Sequence, residues 1–87
     1  MNYVVEWMPP ALNQLAAVWM DAADRSAVTA ASHRIDARLA DDPVNEGESR
    51  PGNQRITFEA PLRVLFRVFE AERKVEVIAV GAFAKRA

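Results

Sequence analysis

Three extended runs in close succession, between residues 54 and 80, constrain most strongly what this chain can fold into. They span residues 55–59, 62–69 and 75–80, and Val, Ile, Phe and Leu dominate them. Side chains of these types favour a pleated, half-buried surface, and the short polar or proline-containing gaps between the runs are typical of hairpin connections. The stretch therefore predicts a three-stranded antiparallel meander.

The middle run alternates strictly between two sets of side chains. One face would carry Leu62, Val64, Phe66 and Val68, and the other Arg63, Leu65, Arg67 and Phe69. Because successive side chains of a strand point to opposite faces, the first set is expected to face a core. The two arginines are then expected on the opposite, uncovered surface.

The first run of the meander is expected to extend that surface. Ile56 and Phe58 share one parity, and we expect them to pack in the core with the apolar set of the middle run. Arg55 and Thr57 have the other parity, which predicts that they emerge beside the two arginines. Cross-strand pairs between arginine and glutamate are the plainer explanation for such residues, and the spacing leaves both explanations open.

The chain before the meander predicts one strand and two helices. Residues 3–8 form a strand candidate that ends at two prolines, and apolar positions at helical spacing indicate helices over residues 10–20 and 25–40. Asp24 is a suitable N-cap for the second helix. Residues 44–53 hold two glycines and a proline and are expected to form a loop.

The resulting order, β-α-α-β-β-β, predicts an α+β fold with residues 1–87 as a single domain. In this fold a two-helix hairpin packs on one face of a small, mostly antiparallel twisted sheet. The first strand is expected either at an edge of the meander or beside its last strand.

Composition and charge limit the class of protein without identifying it. The 87 residues include no cysteine, which excludes disulfides and thiolate metal sites. The net charge of −1 combines three Arg against six Asp or Glu in residues 1–45 with eight Lys or Arg against six Glu in residues 46–87. No leader is evident, and no apolar stretch approaches the roughly 20 residues that cross a bilayer. We therefore expect a cytoplasmic protein that does not bind membranes.

Most residue patterns that carry chemistry are missing from the sequence. His33, the one histidine, falls on the solvent side of an alanine-rich helix, and the glycines are too scattered for a phosphate-binding loop. The carboxylates lack the context of a metal site, so no metal or other cofactor is expected. The guanidinium groups of the arginines are the remaining candidates for chemistry. They can bind the phosphates of RNA and stabilise the charge that develops while a ribose 2′-OH attacks the adjacent phosphate.

The element order, the Asp-Pro step after the second helix, the loop GESRPGNQR and the run PLRVLFRVFEAERKVEVIAVGAF together resemble the RelE/ParE superfamily. These proteins are the toxins of type II toxin–antitoxin modules, often labelled plasmid-stabilisation proteins. The resemblance covers residues 3–83. It implies a compact toxin, neutralised by a cognate antitoxin whose extended or helical segment wraps around it.

The resemblance to RelE-like members implies a metal-independent endoribonuclease that cuts mRNA on the ribosome. By position, Arg55 and Arg63 match two catalytic basic residues of the sheet. Thr57 stands where a second basic group is common, Ala82 and Phe83 occupy the place of a further one, and no tyrosine follows them. Further residues expected to bind the substrate are Arg50, Arg67, Lys85 and Arg86.

The resemblance to ParE-like members implies a different action, because these toxins lack the catalytic set and bind DNA gyrase. A catalytically inactive interaction domain is a third interpretation. The sequence leaves the target open between mRNA and gyrase, and it also leaves open a homodimer when the antitoxin is absent.

The expected antitoxin-binding surface consists of apolar side chains that the core does not need. The candidates are Trp7, Leu65 and Phe69. Trp19 is a fourth apolar residue of this kind, but it lies on the apolar stripe of the first helix and is expected to pack in the core.

Overall fold

The computed structural model describes residues 2–83 and shows two helices packed on one face of a five-stranded mixed sheet. The elements in chain order are β1 (Val4–Trp7), α1 (Pro9–Asp21), α2 (Arg25–Asp41), β2 (Glu48–Arg50), β3 (Gln54–Glu59), β4 (Leu62–Phe69) and β5 (Lys74–Ala82). The strand order is β1-β5-β4-β3-β2, with β1 parallel to β5 and the other pairs antiparallel. The predicted α+β fold is confirmed.

The link between α2 and β3 is more ordered than the predicted loop. It contains a 3-10 turn at Pro43–Asn45 and the edge strand β2, which pairs with β3. Gly47 precedes β2 with φ +63°, and a Cβ at this position would lie 1.9 Å from the carbonyl oxygen of Ile56. Only glycine permits this close approach, so the glycine that suggested a loop in fact brings a fifth strand into the sheet.

The first strand occupies the edge opposite β2, beside the last strand of the meander. β1 pairs with residues 74–77 of β5, and the N–H of Met8 donates to the carbonyl oxygen of Val77 (3.0 Å). The chain then enters α1. From Ile78 onward, no strand of the described residues pairs with the outer edge of β5.

The second helix matches its prediction. The Asp24 carboxylate accepts from the N–H of Ala27 (3.1 Å) and caps the first turn. The stripe that faces the sheet is buried, and its members are Val28, Ala31, Ile35 and Leu39. Within residues 2–83, neither helix is long and apolar enough to span a membrane.

The first helix is rotated relative to the stripe that its apolar spacing predicts, which is Leu12, Leu15, Ala16 and Trp19. Ala11 is buried and Leu15 and Val18 pack against the core, whereas Leu12 is 49% exposed and Trp19 is 39% exposed. The prediction that Trp19 packs in the core is therefore wrong. The guanidinium of Arg25 lies 4.6 Å from the Trp19 ring centroid and covers the ring from outside.

The core lies between the helices and the centre of the sheet. Leu62, Val64 and Phe66 of β4 are fully buried, and Val75 and Val77 of β5 lie beside them. The predicted alternation of β4 is confirmed.

In β3, the first strand of the meander, each of the two sets of side chains lies on the face opposite to the predicted one. Arg55 lies opposite Phe66 and Thr57 lies opposite Val64, and both β4 residues belong to the core. Arg55 and Thr57 are therefore on the helix side, and Thr57 is only 4% exposed. The prediction that both emerge beside the β4 arginines is wrong.

The physical reason is that β3 meets a polar part of α2. Arg38 donates to Thr57 Oγ1 (2.9 Å) and to the Glu59 carboxylate, and its Nε lies 3.2 Å from the Glu46 carboxylate. Arg34 also donates to Glu59 (3.0 Å). Because this network satisfies the polar groups on the helix side of β3, the apolar residues of the strand face outward.

Candidate functional site

The sheet face opposite the helices collects side chains that the core does not use. The strand register places them in four rows. The first row is Arg50, Gln54, Arg67, Glu76 and Glu6, the second is Glu48, Ile56, Leu65 and Ala79, the third is Phe58, Arg63 and Gly81, and the fourth is Phe69, Lys74 and Val4. We call the surface made of these residues the open face.

Arg63, one of the predicted catalytic residues, lies on the open face beside a glycine. Among residues 2–83 it forms no ion pair. A Cβ on Gly81 would lie 2.6 Å from Nη2 of Arg63 and 3.2 Å from its Cζ. The guanidinium therefore lies over the Gly81 backbone, and its N–H donors can bind a ligand.

Arg67 is half-buried in the first row of the open face. Within the described part of the chain it forms no ion pair, and its solvent-shielded Nε has no hydrogen-bond partner. The facing Glu76 pairs with Lys74 instead (3.3 Å). Arg50 is exposed nearby, with its Nη1 3.4 Å from Glu48 of the same strand. Arg67 is thus a second cation with unpaired donors.

Arg55, the other predicted catalytic residue, is engaged on the helix side. Its Nε donates to the carbonyl oxygen of Glu46 (2.7 Å) and its Nη2 donates to that of Gly47 (3.0 Å). These bonds hold the turn that leads into β2. The structure therefore does not bring Arg55 together with Arg63.

The remaining predicted substrate-binding residues fall into two groups. Arg50 and Arg67 lie on the open face with Arg63. Lys85 and Arg86 lie outside the described residues.

The three residues predicted to bind an antitoxin lie on two surfaces. Leu65 is central on the open face, and Phe69 ends β4 with the Lys74 amine 5.2 Å from its ring centroid. Trp7 is on the helix side, where its Nε1–H donates to Asp36 of α2 (2.8 Å). A partner that contacts all three must reach around the edge of the sheet.

Two aromatic residues lie at the end of the open face, and the prediction that one of them, Phe58, packs in the core is wrong. Phe58 is 45% exposed, and its ring packs edge-to-face against Phe83 with a centroid distance of 5.3 Å. One feature of the sequence indicates that β3 turns its polar side to the helices and Phe58 outward. This feature is the spacing of Arg34 and Arg38, which are four residues apart on α2. Residues at this spacing share one helix face and call for polar partners on the strand opposite.

The open face combines unpaired guanidinium groups with exposed aromatic and aliphatic side chains. Guanidinium groups bind phosphates in bidentate fashion, and aromatic rings stack on bases. Among the described residues of this face there is no histidine or tyrosine, and the carboxylates are those of Glu6, Glu48 and Glu76. The geometry is therefore better suited to binding anions than to general acid–base catalysis.

No protein-family model and no curated protein matches the chain by sequence. Solved structures match over nearly its whole length. The toxin–antitoxin complex RelBE2 from Mycobacterium tuberculosis gives a TM-score of 0.77 at 16% identity, covering 98% of this chain and 95% of that chain. The E. coli RelBE complex gives 0.68 at 16% identity, with 95% and 99% covered. The chromosomal ParDE system of P. aeruginosa gives 0.66 at 15% identity, with 94% and 97% covered.

The chain therefore has the fold of the RelE and ParE toxins, as its sequence pattern implies. The RelE-type structures give TM-scores from 0.64 to 0.77, and the score of 0.66 for the ParDE structure falls within this range. The fold alone does not separate the two kinds of toxin.

Proposed function

We propose that this chain is the toxin of a type II toxin–antitoxin module and that the open face binds its target in the cytoplasm. The observation that carries this proposal is the unpaired state of Arg63 and Arg67 within the described residues, on a sheet with the RelE/ParE toxin fold. Several other arginines donate to carbonyl or carboxylate groups of the protein itself, namely Arg25, Arg34, Arg38 and Arg55. Of the three open-face arginines, Arg50 pairs with Glu48, so Arg63 and Arg67 are the ones best placed to bind a ligand.

RNA is the target whose chemistry fits the open face best. Phosphates match the guanidinium groups, and unstacked bases match the exposed Phe58. Arg63 and Arg67 are four residues apart on one strand, so their Cα atoms are about 13 Å apart. One extended RNA segment can contact both.

A RelE-type activity at this face would be metal-independent cleavage of mRNA on the ribosome. The ribose 2′-OH would attack the adjacent phosphate, and Arg63 would stabilise the charge that develops on the phosphate oxygens. Because the open face offers few groups that transfer protons, positioning of the RNA by the ribosome would supply much of the rate.

A cell-free translation reaction tests the nuclease proposal. Purified protein should cut a translated mRNA, with the ends mapped by primer extension, and Arg63→Ala should lower the cleavage rate by about 100-fold. Arg34→Ala is the matched control, because Arg34 lies on α2 away from the open face. Intact mRNA with the wild-type protein would rule out cleavage.

Gyrase binding is the second candidate, and two structural observations favour it. Arg55 is held on the helix side, and the residue that faces Arg63 on β5 is Gly81. The open face therefore has fewer basic groups than the sequence predicted. Purified gyrase should then fail to supercoil relaxed plasmid when the protein is in excess, and normal supercoiling would contradict this candidate.

The neutralising partner is expected to be the product of a small neighbouring gene. Trp7, Leu65 and Phe69 remain the proposed contact residues, reached by a chain that passes around the sheet edge. Co-expression of the two genes followed by pull-down of this chain should recover a complex. If induced expression of this chain alone does not slow growth, only a non-toxic interaction domain remains.

A further inference from the structure

A small pocket lies on the open face beside Arg63. Its volume is about 320 Å³, which falls within the range of roughly 300–1,000 Å³ that is common for ligand pockets. The other open-face residues that line it are Ile56, Leu65, Ala79 and Gly81. The pocket therefore combines an apolar floor with one guanidinium group.

An irregularity in β5 makes room for this pocket. The register between β4 and β5 shifts at Leu65 and Phe66, and the pairing skips Ile78. Such a bulge reverses which of the alternate residues face each side of the sheet. Beyond it, the small residues Ala79 and Gly81 lie on the open face, where they leave space above the strand.

Gln14 reaches the pocket from α1, on the other layer of the fold. Its Oε1 accepts from the N–H of Val80 (2.7 Å) at the outer edge of β5. Because a backbone N–H needs an acceptor, this bond determines which end of the amide faces the strand. Within residues 2–83 the two N–H donors of Nε2 form no hydrogen bond. The amide of Gln14 is therefore oriented, and only its donors are free to bind a ligand.

We propose that this pocket binds a base of the target RNA and that Gln14 selects bases with a carbonyl oxygen at position 4 or 6, which are uracil and guanine. The free Nε2–H donates to this oxygen. Cytosine and adenine carry an amino group at the same place, so that two donors would face each other. The inference rests on the proposed function, in which Arg63 binds a phosphate of the same RNA.

The test uses four single-base oligonucleotides as probes. Each is five nucleotides long and carries one base at its centre, with abasic residues on both sides, so that no other base can enter the pocket. All the sugars are 2′-deoxyribose, so the probes lack the 2′-OH that cleavage requires. Fluorescence anisotropy at low salt gives the Kd of each probe for the purified protein.

The wild-type chain should bind the guanine and uracil probes about fivefold more tightly than the adenine and cytosine probes. Gln14→Glu should reverse this order. One of its carboxylate oxygens still accepts from Val80, and the other accepts from the amino group of adenine or cytosine.

Asn13→Asp is the matched control for the added charge. Asn13 is the exposed neighbour of Gln14 on α1 and does not line the pocket. This variant should keep the order of affinities of the wild-type chain. Arg63→Ala should weaken the binding of all four probes, because Arg63 contacts the phosphate in every one.

The outcomes separate this inference from the proposed function. Equal affinities of the wild-type chain for the four probes, or an order that Gln14→Glu leaves unchanged, would overturn the inference while the open face still binds phosphates. If the wild-type chain binds none of the probes, both the base pocket and RNA as the target are contradicted.

Discussion

At the scale of single residues, the open face depends on the glycine at position 81 as much as on the arginine at position 63. The Arg63 guanidinium occupies space that any Cβ at this position would fill, with 2.6 Å to Nη2. The atom in conflict is the far end of a flexible side chain. A larger residue at position 81 would therefore move the charge with little effect on the fold.

Gly81→Ala should displace the Arg63 side chain. We expect the Nε–Hε resonance of Arg63 to shift in ¹⁵N NMR spectra, while the free energy of unfolding changes by less than about 1 kcal/mol. Ala79→Gly, two residues away on the same strand face, should leave that resonance in place. An unchanged Arg63 resonance in Gly81→Ala would show that the glycine does not position the arginine.

The network under β3 gives a second residue-scale prediction, about stability. Arg38 binds two carboxylates and Thr57, so Arg38→Ala should lower the free energy of unfolding by about 2 kcal/mol. Within residues 2–83 the Arg34 side chain has one hydrogen-bonding partner, Glu59, and it is 52% exposed, so Arg34→Ala should cost less than about 1 kcal/mol. Urea denaturation at pH 7 compares the two variants, and equal losses would contradict the central place of Arg38.

At the scale of secondary-structure elements, sequence periodicity is informative where an element meets apolar neighbours along its length. β4 and α2 meet this condition, and their buried stripes follow the predicted spacing. β3 and α1 do not. β3 faces the arginines of α2, and α1 lies along the edge of β5, where Gln14 and Val80 meet. The alternation of β3 and the helical spacing of α1 predict where these two elements lie in the sequence, but they do not determine which face of each element packs against the core.

The cap of α2 gives an element-scale prediction about pH. Hydrogen bonds from Ser26 and from the Ala27 N–H lower the pKa of Asp24 from its usual value of 3.8. A carboxyl whose pKa is lower in the folded state stabilises the fold above its unfolded pKa, and this stabilisation is lost as the pH falls through the folded pKa.

Asp24→Ala should therefore reduce thermal stability at pH 7 and have a smaller effect at a pH below the folded pKa of Asp24. Asp24→Asn, which retains an acceptor oxygen, should fall between Asp24→Ala and the wild type. Melting temperatures of the three proteins across this pH range check the prediction. A loss in Asp24→Ala that is the same at every pH would show that the charge of Asp24 does not contribute.

At the scale of the whole molecule, the two faces of the sheet have different surroundings. The helices cover one face and form the core, and the open face presents Arg63 and Arg67. The alternation of β4 predicted which arginines are uncovered, because that strand is central in the sheet. Arg55 was misplaced because the face that β3 turns to the helices depends on how β3 meets α2, which local spacing does not encode.

Growth after induced expression is the measurement that tests the role of the open face most directly. The wild-type chain should arrest growth, and Arg34→Ala should arrest it to the same extent, since its substitution lies outside the open face. The double variant Arg63→Ala/Arg67→Ala, present at an equal soluble level by immunoblot, should grow like an uninduced culture. Arrest by the double variant equal to that of the wild type, or normal growth with the wild type, would contradict the account.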